Sequence, residues 1–407
     1  MNYFKKTISS LSWMGGLRAS TRAITFVRLA ILARLLTPSQ FGLFGIATLV
    51  LAFLEILTET GINVFFIQNE GDLDDYVHTA WVVSLIRGTL IALGLLILAP
   101  FIAIFFNSPA SASLIAYIAV IPFIRGFINP AIVSYQKDLH FRQEFFLRLA
   151  IFFLDSSVAV AAALISPSAT SLIWGLVAGA ILEVILSHLL IRPRPRFSFE
   201  PLKVKRVLNR GKWVTLAGML KYLFTSGDNI VVGRVLGTAS LGLYDMAYKI
   251  SLIPITEVAD VFGRVLFPTF SYIASDKSRL RQAYFKAVLA LSALVIPIGL
   301  VLVFFTRPLV LLLLGSQWLS IIPVLKLLSI FGTIRAIIGS SSALFLAVKK
   351  QEYVTWITLF NVLGIGLPII PLVYRYGILG AGISAGIGTL AGLPLIAYYL
   401  YRVFRHA

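Results

Sequence analysis

The stretch Tyr284–Phe305, YFKAVLALSALVIPIGLVLVFF, contains a single charged side chain, Lys286, close to its beginning. An α-helix needs about 20 mostly apolar residues to cross the hydrocarbon core of a bilayer. The stretch is therefore predicted to form a transmembrane helix. It is too long for a transmembrane β-strand and lacks the alternation of polar and apolar residues that barrel strands show.

Similar stretches recur along the whole chain, which predicts an all-α integral membrane protein with about twelve transmembrane helices. The predicted spans are residues 12–35, 41–66, 78–104, 112–135, 146–165, 170–191, 213–235, 241–268, 284–305, 320–347, 353–374 and 378–401.

Composition supports a membrane protein and excludes a soluble enzyme. Of the 407 residues, 58% are hydrophobic and 13% are charged, and the mean hydropathy is +0.92. A soluble domain carries about 25% charged residues. The absence of cysteine excludes disulfides and thiolate metal sites. Because the four histidines are scattered and no Walker A or H-E-x-x-H motif occurs, neither a cofactor nor a metal is expected.

The basic charge predicts the orientation in the membrane. The net charge is +18, and 21 Lys and Arg residues fall in segments on the side of the termini, against four at the opposite helix ends. Cytoplasmic loops are enriched in Lys and Arg, so both termini are predicted to be cytoplasmic. This topology accounts for the basic charge without a nucleic acid partner.

A basic segment predicts the domain organisation. Residues 192–212 include Arg192-Pro-Arg-Pro-Arg196 and are expected to form a cytoplasmic linker that touches anionic lipid headgroups. It separates an N-terminal six-helix lobe, residues 1–191, from a C-terminal six-helix lobe, residues 213–407. The segments 33–44 and 233–244 share Arg, Leu and Gly at one constant offset, which indicates a parallel internal repeat.

Basic residues within the predicted spans are candidates for binding an anionic substrate, because each central charge costs roughly 2.5–3.5 kcal/mol in a membrane. Arg18, Arg22 and Arg28 share one face of the first helix with no acid beside them in sequence. Snorkelling to the headgroups remains an alternative for Arg18. The candidates are Arg18, Arg22, Arg28, Arg87, Arg125, Lys221, Lys249 and Arg335.

Carboxylates within the spans are candidates for ion coupling. Glu55 and Glu59 lie one turn apart in the second helix, where two ionised carboxylates would repel. They favour a site for H⁺ or Na⁺, and pairing with arginines of helix one is an equal alternative. Glu257 and Asp260 of helix eight are further candidates. The i,i+4 spacings Asp245–Lys249 and Asp260–Arg264 predict internal salt bridges.

The segment Ala33–Phe44, ARLLTPSQFGLF, closely resembles the junction of helices one and two in bacterial polysaccharide exporters. These are Wzx-type flippases of the multidrug/oligosaccharidyl-lipid/polysaccharide (MOP) superfamily, near the colanic-acid exporter branch. The resemblance extends over essentially the whole chain.

The resemblance implies a MATE/MOP-like fold, with two six-helix lobes around a central cavity and alternating access. It also implies an inner-membrane flippase for O-antigen or other surface polysaccharide. The implied substrate is an oligosaccharide repeat unit on polyprenyl pyrophosphate, moved from the cytoplasmic to the periplasmic leaflet. The polysaccharide polymerase machinery would be a further partner.

Two alternatives stay open at this point. A drug or metabolite antiporter of the same fold should have fewer unpaired cations in its cavity. A membrane glycan ligase or polymerase usually needs a long outer loop, whereas the longest here, Thr306–Ser320, is short and largely apolar. The protein is therefore expected to be a transporter and not an enzyme.

Overall fold

The computed structural model describes the backbone of residues 3–59, 66, 74–138, 140–198 and 200–405. Side chains are described from residue 13 onward in these ranges, except at 74, 75, 201–214, 216, 217, 220 and 221. Lys221 is a predicted substrate-binding residue, and its side chain therefore lies outside the described residues. Within the described ranges the chain is helical and contains no β-strand.

The chain divides into two compact units, Met1–Thr225 and Ser226–Ala407. A 3₁₀ turn, Pro130–Val133, precedes the sixth helix of the first unit. The helices of that unit are α1 (Tyr3–Leu35), α2 (Pro38–Leu57), α3 (Asp74–Phe105), α4 (Pro109–Ile118), α5 (Val120–Gly126), α6 (Ser134–Lys137), α7 (Phe141–Ile165) and α8 (Ala169–Leu190).

The helical segment α9, Pro201–Tyr272, begins in the first unit and contributes the first helix of the second. It is interrupted at Gly237, whose φ of 82° and ψ of −177° are accessible to glycine but not to residues with a side chain. This break lies between the spans predicted at 213–235 and 241–268. The other helices of the second unit are α10 (Lys277–Phe304), α11 (Thr306–Leu313), α12 (Ile322–Ala347), α13 (Gln351–Tyr376), α14 (Ile378–Ala391) and α15 (Leu393–Arg405).

Nine helical stretches among the described residues are long and apolar enough to cross a membrane, so the protein is a multi-pass membrane protein. They overlap nine of the predicted spans. The helix in the span predicted at 41–66 ends at Leu57, with residues 60–65 outside the described residues, and the helix in the span predicted at 112–135 ends at Gly126. The remaining three, 12–35, 213–235 and 241–268, fall in α1 and α9, which carry more charge. The fold class is confirmed, and the helix pattern is consistent with twelve spans.

The junction between α1 and α2 is built by its own side chains. Thr37 Oγ1 accepts a hydrogen bond from the Gln40 N–H, and Gln40 Oε1 accepts one from the Thr37 N–H at 2.8 Å. This capping box, followed by Pro38 in the first turn, starts a helix efficiently. Gln40 Nε2 also donates to the main-chain oxygen of Pro167, which attaches the junction to the turn between α7 and α8.

Helices α7 and α8 approach closely because small residues line their contact. A Cβ atom on Gly175 would lie 2.5 Å from the main-chain oxygen of Asp155 and 2.7 Å from Ala159 Cβ. Close backbone approach of this kind is typical of helix packing in membranes. It places Asp155 in the interior of the first unit, where 7% of the residue is exposed.

The beginning of the predicted linker is anchored to the first unit. The side-chain amide of buried Asn129 donates to the main-chain oxygen of Pro193 at 2.9 Å, and the main-chain N–H of Asn129 donates to Ser187 Oγ at 3.1 Å. The compact units divide at Thr225, beyond residues 192–212. The assignment of six helices to each lobe stays a prediction.

Candidate functional site

The deepest predicted cation of α1 has a carboxylate partner. Arg28 Nη1 lies 2.8 Å from Asp155 Oδ2 on α7, and the two side chains are 15% and 10% exposed. This partner lies 127 positions away in sequence, so the absence of an acid beside Arg28 in the chain gave no sign of it. Arg18 and Arg22 occupy exposed positions of the same helix.

Glu55 and Glu59 have separate cationic partners. Glu55 Oε1 lies 3.6 Å from Arg125 Nη1 of α5, so Glu55 pairs with α5 and not with an arginine of helix one. These two side chains are 36% and 41% exposed. Glu59 Oε2 lies 3.4 Å from Arg87 Nη2 of α3. An arginine beside each carboxylate thus offsets the repulsion between Glu55 and Glu59.

Arg87 also holds the end of α2. Its Nη2 donates to the main-chain oxygen of Glu55 at 2.7 Å, and its Nε donates to Thr58 Oγ1 at 3.3 Å. The last carbonyl groups of a helix lack partners within the helix, and a cation near them is stabilising. Arg87 therefore both caps the C-terminal end of α2 and forms an ion pair with Glu59.

A cavity of about 170 Å³ lies beside these pairs and is lined by side chains of both signs, Arg125, Arg148, Asp155 and Glu183. Arg148 lies 3.4 Å from Glu144 and 3.7 Å from Glu183. Since drug-sized pockets measure about 300–1,000 Å³, this cavity accommodates a phosphate-sized group but not an oligosaccharide.

Three of the cavity residues, Arg148, Asp155 and Glu183, are not among the predicted site residues. The i,i+4 spacing of Glu144 and Arg148 on α7 is a signal in the sequence for one of the pairs. Asp155 and Glu183 are recognisable as acids in apolar stretches, but nothing local identifies the helix that each one faces.

The second unit confirms one predicted helical pair and corrects another. Lys249 Nζ lies 2.6 Å from Asp245 Oδ2, as the spacing predicted. The prediction of an Asp260–Arg264 salt bridge is wrong, because Arg264 Nε donates instead to the main-chain oxygen of Asp260, at 3.4 Å. Both residues are exposed, so water solvates the carboxylate and little is gained by fixing two flexible side chains together.

A second polar network surrounds buried Asp228 in the second unit. The Tyr244 hydroxyl donates to Asp228 Oδ2 at 2.9 Å, and the Asn229 N–H donates to Oδ1 at 2.8 Å. Arg335 interacts electrostatically with Asp228 and with the hydroxyl of Tyr248. Sequence reasoning missed both tyrosines, because a hydroxyl on an aromatic ring is not conspicuous in an apolar helix.

Arg125 and Arg335 each lie near acidic side chains of their own unit. Arg125 pairs with Glu55 and also acts electrostatically on Asp155, and Arg335 acts on Asp228.

Glu257 and Asp260 lie one turn apart on α9, where Asp260 is exposed. Among the described residues, no group of three His, Asp or Glu side chains has the arrangement of a metal site.

Comparison with known proteins establishes the family. The model of the family described as polysaccharide biosynthesis protein matches residues 31–323. The chain belongs to this family. The matched residues include α2, the cavity residues and, from the Asp228 network, Asp228, Tyr244 and Tyr248, whereas Arg28 and Arg335 lie outside them.

Relatives and solved structures cover nearly the whole chain. The lipopolysaccharide biosynthesis protein WzxC of Escherichia coli (strain K12) is 27% identical over 97% of this chain and 79% of its own length. The succinoglycan biosynthesis transport protein ExoT of Rhizobium meliloti (strain 1021) is 26% identical over 80% of this chain and 66% of its own length. The lipid II flippase MurJ, in an inward closed conformation, superimposes with a TM-score of 0.72 at 17% identity, covering 95% of this chain and 87% of MurJ. This polysaccharide biosynthesis protein therefore has a MurJ-like fold.

Proposed function

We propose that this polysaccharide biosynthesis protein is a flippase for lipid-linked oligosaccharides. It would move repeat units joined through pyrophosphate to polyprenol from the cytoplasmic to the periplasmic leaflet of a bacterial inner membrane, by alternating access. The family, the transport role in the name of ExoT and the MurJ-like fold support a transporter over an enzyme. Membrane lipids surround the protein, and the polysaccharide polymerase machinery would receive its product.

The observation that carries this proposal is the open pair between Arg125 and Glu55. At 3.6 Å and about two-fifths exposed, Arg125 is held loosely by its carboxylate and borders the phosphate-sized cavity. A guanidinium forms forked, charge-assisted bonds with phosphate that are stronger than this contact. The pyrophosphate would therefore replace Glu55 as the partner of Arg125, while the sugar stays outside the cavity.

The other predicted cations have different parts in the proposal. Arg28 and Arg87 are fixed by Asp155 and by the end of α2, so they position the helices around the head group. Arg18 and Arg22 add positive charge on α1. Lys249 and Arg335 are the proposed contacts in the second unit.

Ion coupling follows from the same exchange. When a phosphate group binds Arg125 in place of Glu55, the Glu55 carboxylate no longer has the guanidinium as its partner and would take up H⁺ or Na⁺ instead. One charge crossing 100 mV supplies about 2.3 kcal/mol, so a few ions suffice to drive the cycle. Glu59, Glu257 and Asp260 are the further carboxylates proposed for coupling.

The test is a flipping assay with purified lipid-linked oligosaccharide in proteoliposomes. Arg125→Ala should lower the rate by about 10–100-fold, since a hydrogen bond to a charged group contributes about 1.5–3 kcal/mol. Arg125→Lys keeps the charge but loses the fork, so its rate should lie between Arg125→Ala and the parent. Arg194, an exposed residue that donates to the main-chain oxygen of His188, supplies the matched Ala and Lys controls. Parental flipping by a normally inserted Arg125→Ala protein would contradict the proposal.

A drug or metabolite antiporter of the same fold is the second candidate, because Arg28, Arg87, Arg125 and Lys249 all have acidic partners. Such a balanced site would suit a cationic substrate better than an unpaired cluster of arginines. Gradient-driven efflux of a cationic dye from the same proteoliposomes, without oligosaccharide flipping, would establish this alternative.

The proposed direction of transport requires both termini in the cytoplasm, as the distribution of Lys and Arg predicts. Reporter fusions at Arg196 and at Ala407 should both show cytoplasmic activity. A periplasmic signal at either position would contradict the predicted orientation.

A further inference from the structure

Four membrane-spanning stretches of the second unit end around a second, larger cavity. Helix α10 begins at Lys277, α12 ends at Ala347, α13 begins at Gln351 and α15 ends at Arg405. A cavity of about 560 Å³ lies among these ends, lined by residues of 274–280, 347–353 and 402–403. It shares no residue with the site described above. We call it the helix-end pocket.

The rim of the helix-end pocket is cationic. Lys277, Lys349, Lys350 and Arg402 line it, and no acidic residue is among its described lining residues. Glu352 lies 3.5 Å from Lys350, but both side chains are about half exposed, so this contact is weak. Helix α13 also begins here without a side-chain cap. Its first N–H groups therefore add to the attraction for an anion.

The base of the helix-end pocket is apolar and rigidly packed. Leu280 and Ala347 are buried there. The Tyr353 ring stacks on Tyr399 with centroids 3.9 Å apart and planes 1° apart. Lys350 Nζ lies 5.9 Å from the centroid of the same Tyr353 ring. A free inorganic anion would use only the rim, whereas an amphiphile would use both the rim and the base.

The surroundings place the pocket at the level of lipid headgroups. Helix α15 ends in exposed Tyr398 and Tyr401 together with Arg402 and Arg405, and the Arg405 guanidinium lies 5.5 Å from the Tyr401 ring. Tyrosine and basic residues concentrate where a membrane-spanning helix meets the headgroups. Basic pockets between helix ends are suited to anionic lipid headgroups.

We propose that the helix-end pocket binds one anionic phospholipid. Its phosphate lies among Lys277, Lys349, Lys350 and Arg402, and its glycerol and upper acyl carbons lie against Leu280 and Tyr353. This lipid is distinct from the transported substrate and holds together the ends of α10, α12, α13 and α15. The protein therefore selects an anionic lipid at one face of its second unit.

The experiment measures lipid adducts on the purified full-length protein by native mass spectrometry after removal of endogenous lipid. Short-chain phosphatidylglycerol and phosphatidylcholine are titrated separately, and inorganic phosphate is added as a competitor. The variant Lys349→Gln/Lys350→Gln removes two pocket cations. The matched control, Arg307→Gln/Arg375→Gln, removes two exposed cations away from the pocket, one in the first turn of α11, just after α10 ends, and one in the last turn of α13. Arg402→Gln provides an independent pocket variant should the double variant fold poorly.

The parent and the control should retain one phosphatidylglycerol in preference to phosphatidylcholine. The double pocket variant should bind phosphatidylglycerol about thirtyfold more weakly and Arg402→Gln about fivefold, from the contribution of each basic residue near an anionic lipid surface. Equal retention of the two lipids, or unchanged affinity in both pocket variants, overturns the proposal. Displacement of the lipid by millimolar phosphate would assign the site to free phosphate and likewise overturn it. None of these readouts depends on flipping.

Discussion

Two ion pairs of the first unit, Arg28–Asp155 and Arg125–Glu55, each join an arginine to a carboxylate on another helix. They differ in the distance between the charged groups and in the exposure of the side chains. The first has a 2.8 Å contact and side chains 15% and 10% exposed. The second has a 3.6 Å contact and side chains 41% and 36% exposed. A buried pair cannot exchange its partner without leaving a charge in a low dielectric, whereas a half-exposed pair can. The first pair therefore belongs to the structural framework of the helices, whereas the second can exchange its partner, as the proposed phosphate contact requires.

Packing creates this difference. Asp155 lies where α7 and α8 approach at Gly175 and Gly179, so water has little access to its contact with Arg28. Arg125 follows the break that separates α4 from α5 and borders the cavity. An arginine paired with a carboxylate is thus buried or half exposed according to the density of the surrounding helices.

Breaking the buried pair should have the largest effect on stability. Arg28→Leu and Asp155→Leu each leave one charge without a partner, which costs about 3 kcal/mol or more in the free energy of unfolding. The double variant Arg28→Leu/Asp155→Leu should recover most of that loss, because no charge remains buried. Reversible unfolding in mixed detergent micelles measures all three variants.

The double-mutant cycle also tests the assignment of this pair to the framework. Additive losses in the two single variants and the double variant would show that Arg28 and Asp155 do not stabilise each other. In that case Arg28 would return to the set of candidate substrate contacts.

Breaking the exposed pairs should change stability much less and transport much more. Glu55→Gln and Glu59→Gln should each lower the free energy of unfolding by less than about 1 kcal/mol, since exposed pairs contribute about 0–1 kcal/mol. If these carboxylates couple transport to an ion, both variants should lose the response of flipping to imposed H⁺ or Na⁺ gradients. The matched control is Asp138→Asn, which removes an exposed acid from the turn before α7.

Stability and transport are measured on the same variant proteins, so the two roles can be told apart. An unchanged gradient response in both Gln variants would remove Glu55 and Glu59 from ion coupling. A stability loss as large as that of Asp155→Leu would show instead that these pairs, too, belong to the framework.

Features that depend on neighbouring residues were predictable from the chain. Thr37 and Gln40 form the capping box at the start of α2, and the Asp245–Lys249 pair forms as its spacing predicts. Even there local spacing is insufficient, because Asp260 and Arg264 have the same spacing and do not pair through their side chains. Their exposure, which spacing does not reveal, decides the outcome.

The sequence by itself determined that this is a helical membrane protein and where most of its spans lie. The physical reason is local: a chain in hydrocarbon must satisfy its backbone hydrogen bonds within each segment, so apolar length is sufficient to specify a helix. Only the tertiary structure decided that Arg28 faces Asp155, that Arg125 faces Glu55, and that Lys277, Lys349, Lys350 and Arg402 surround one pocket. Each of these groupings joins residues from different helices, and the contacts between helices depend on the packing of many side chains at once.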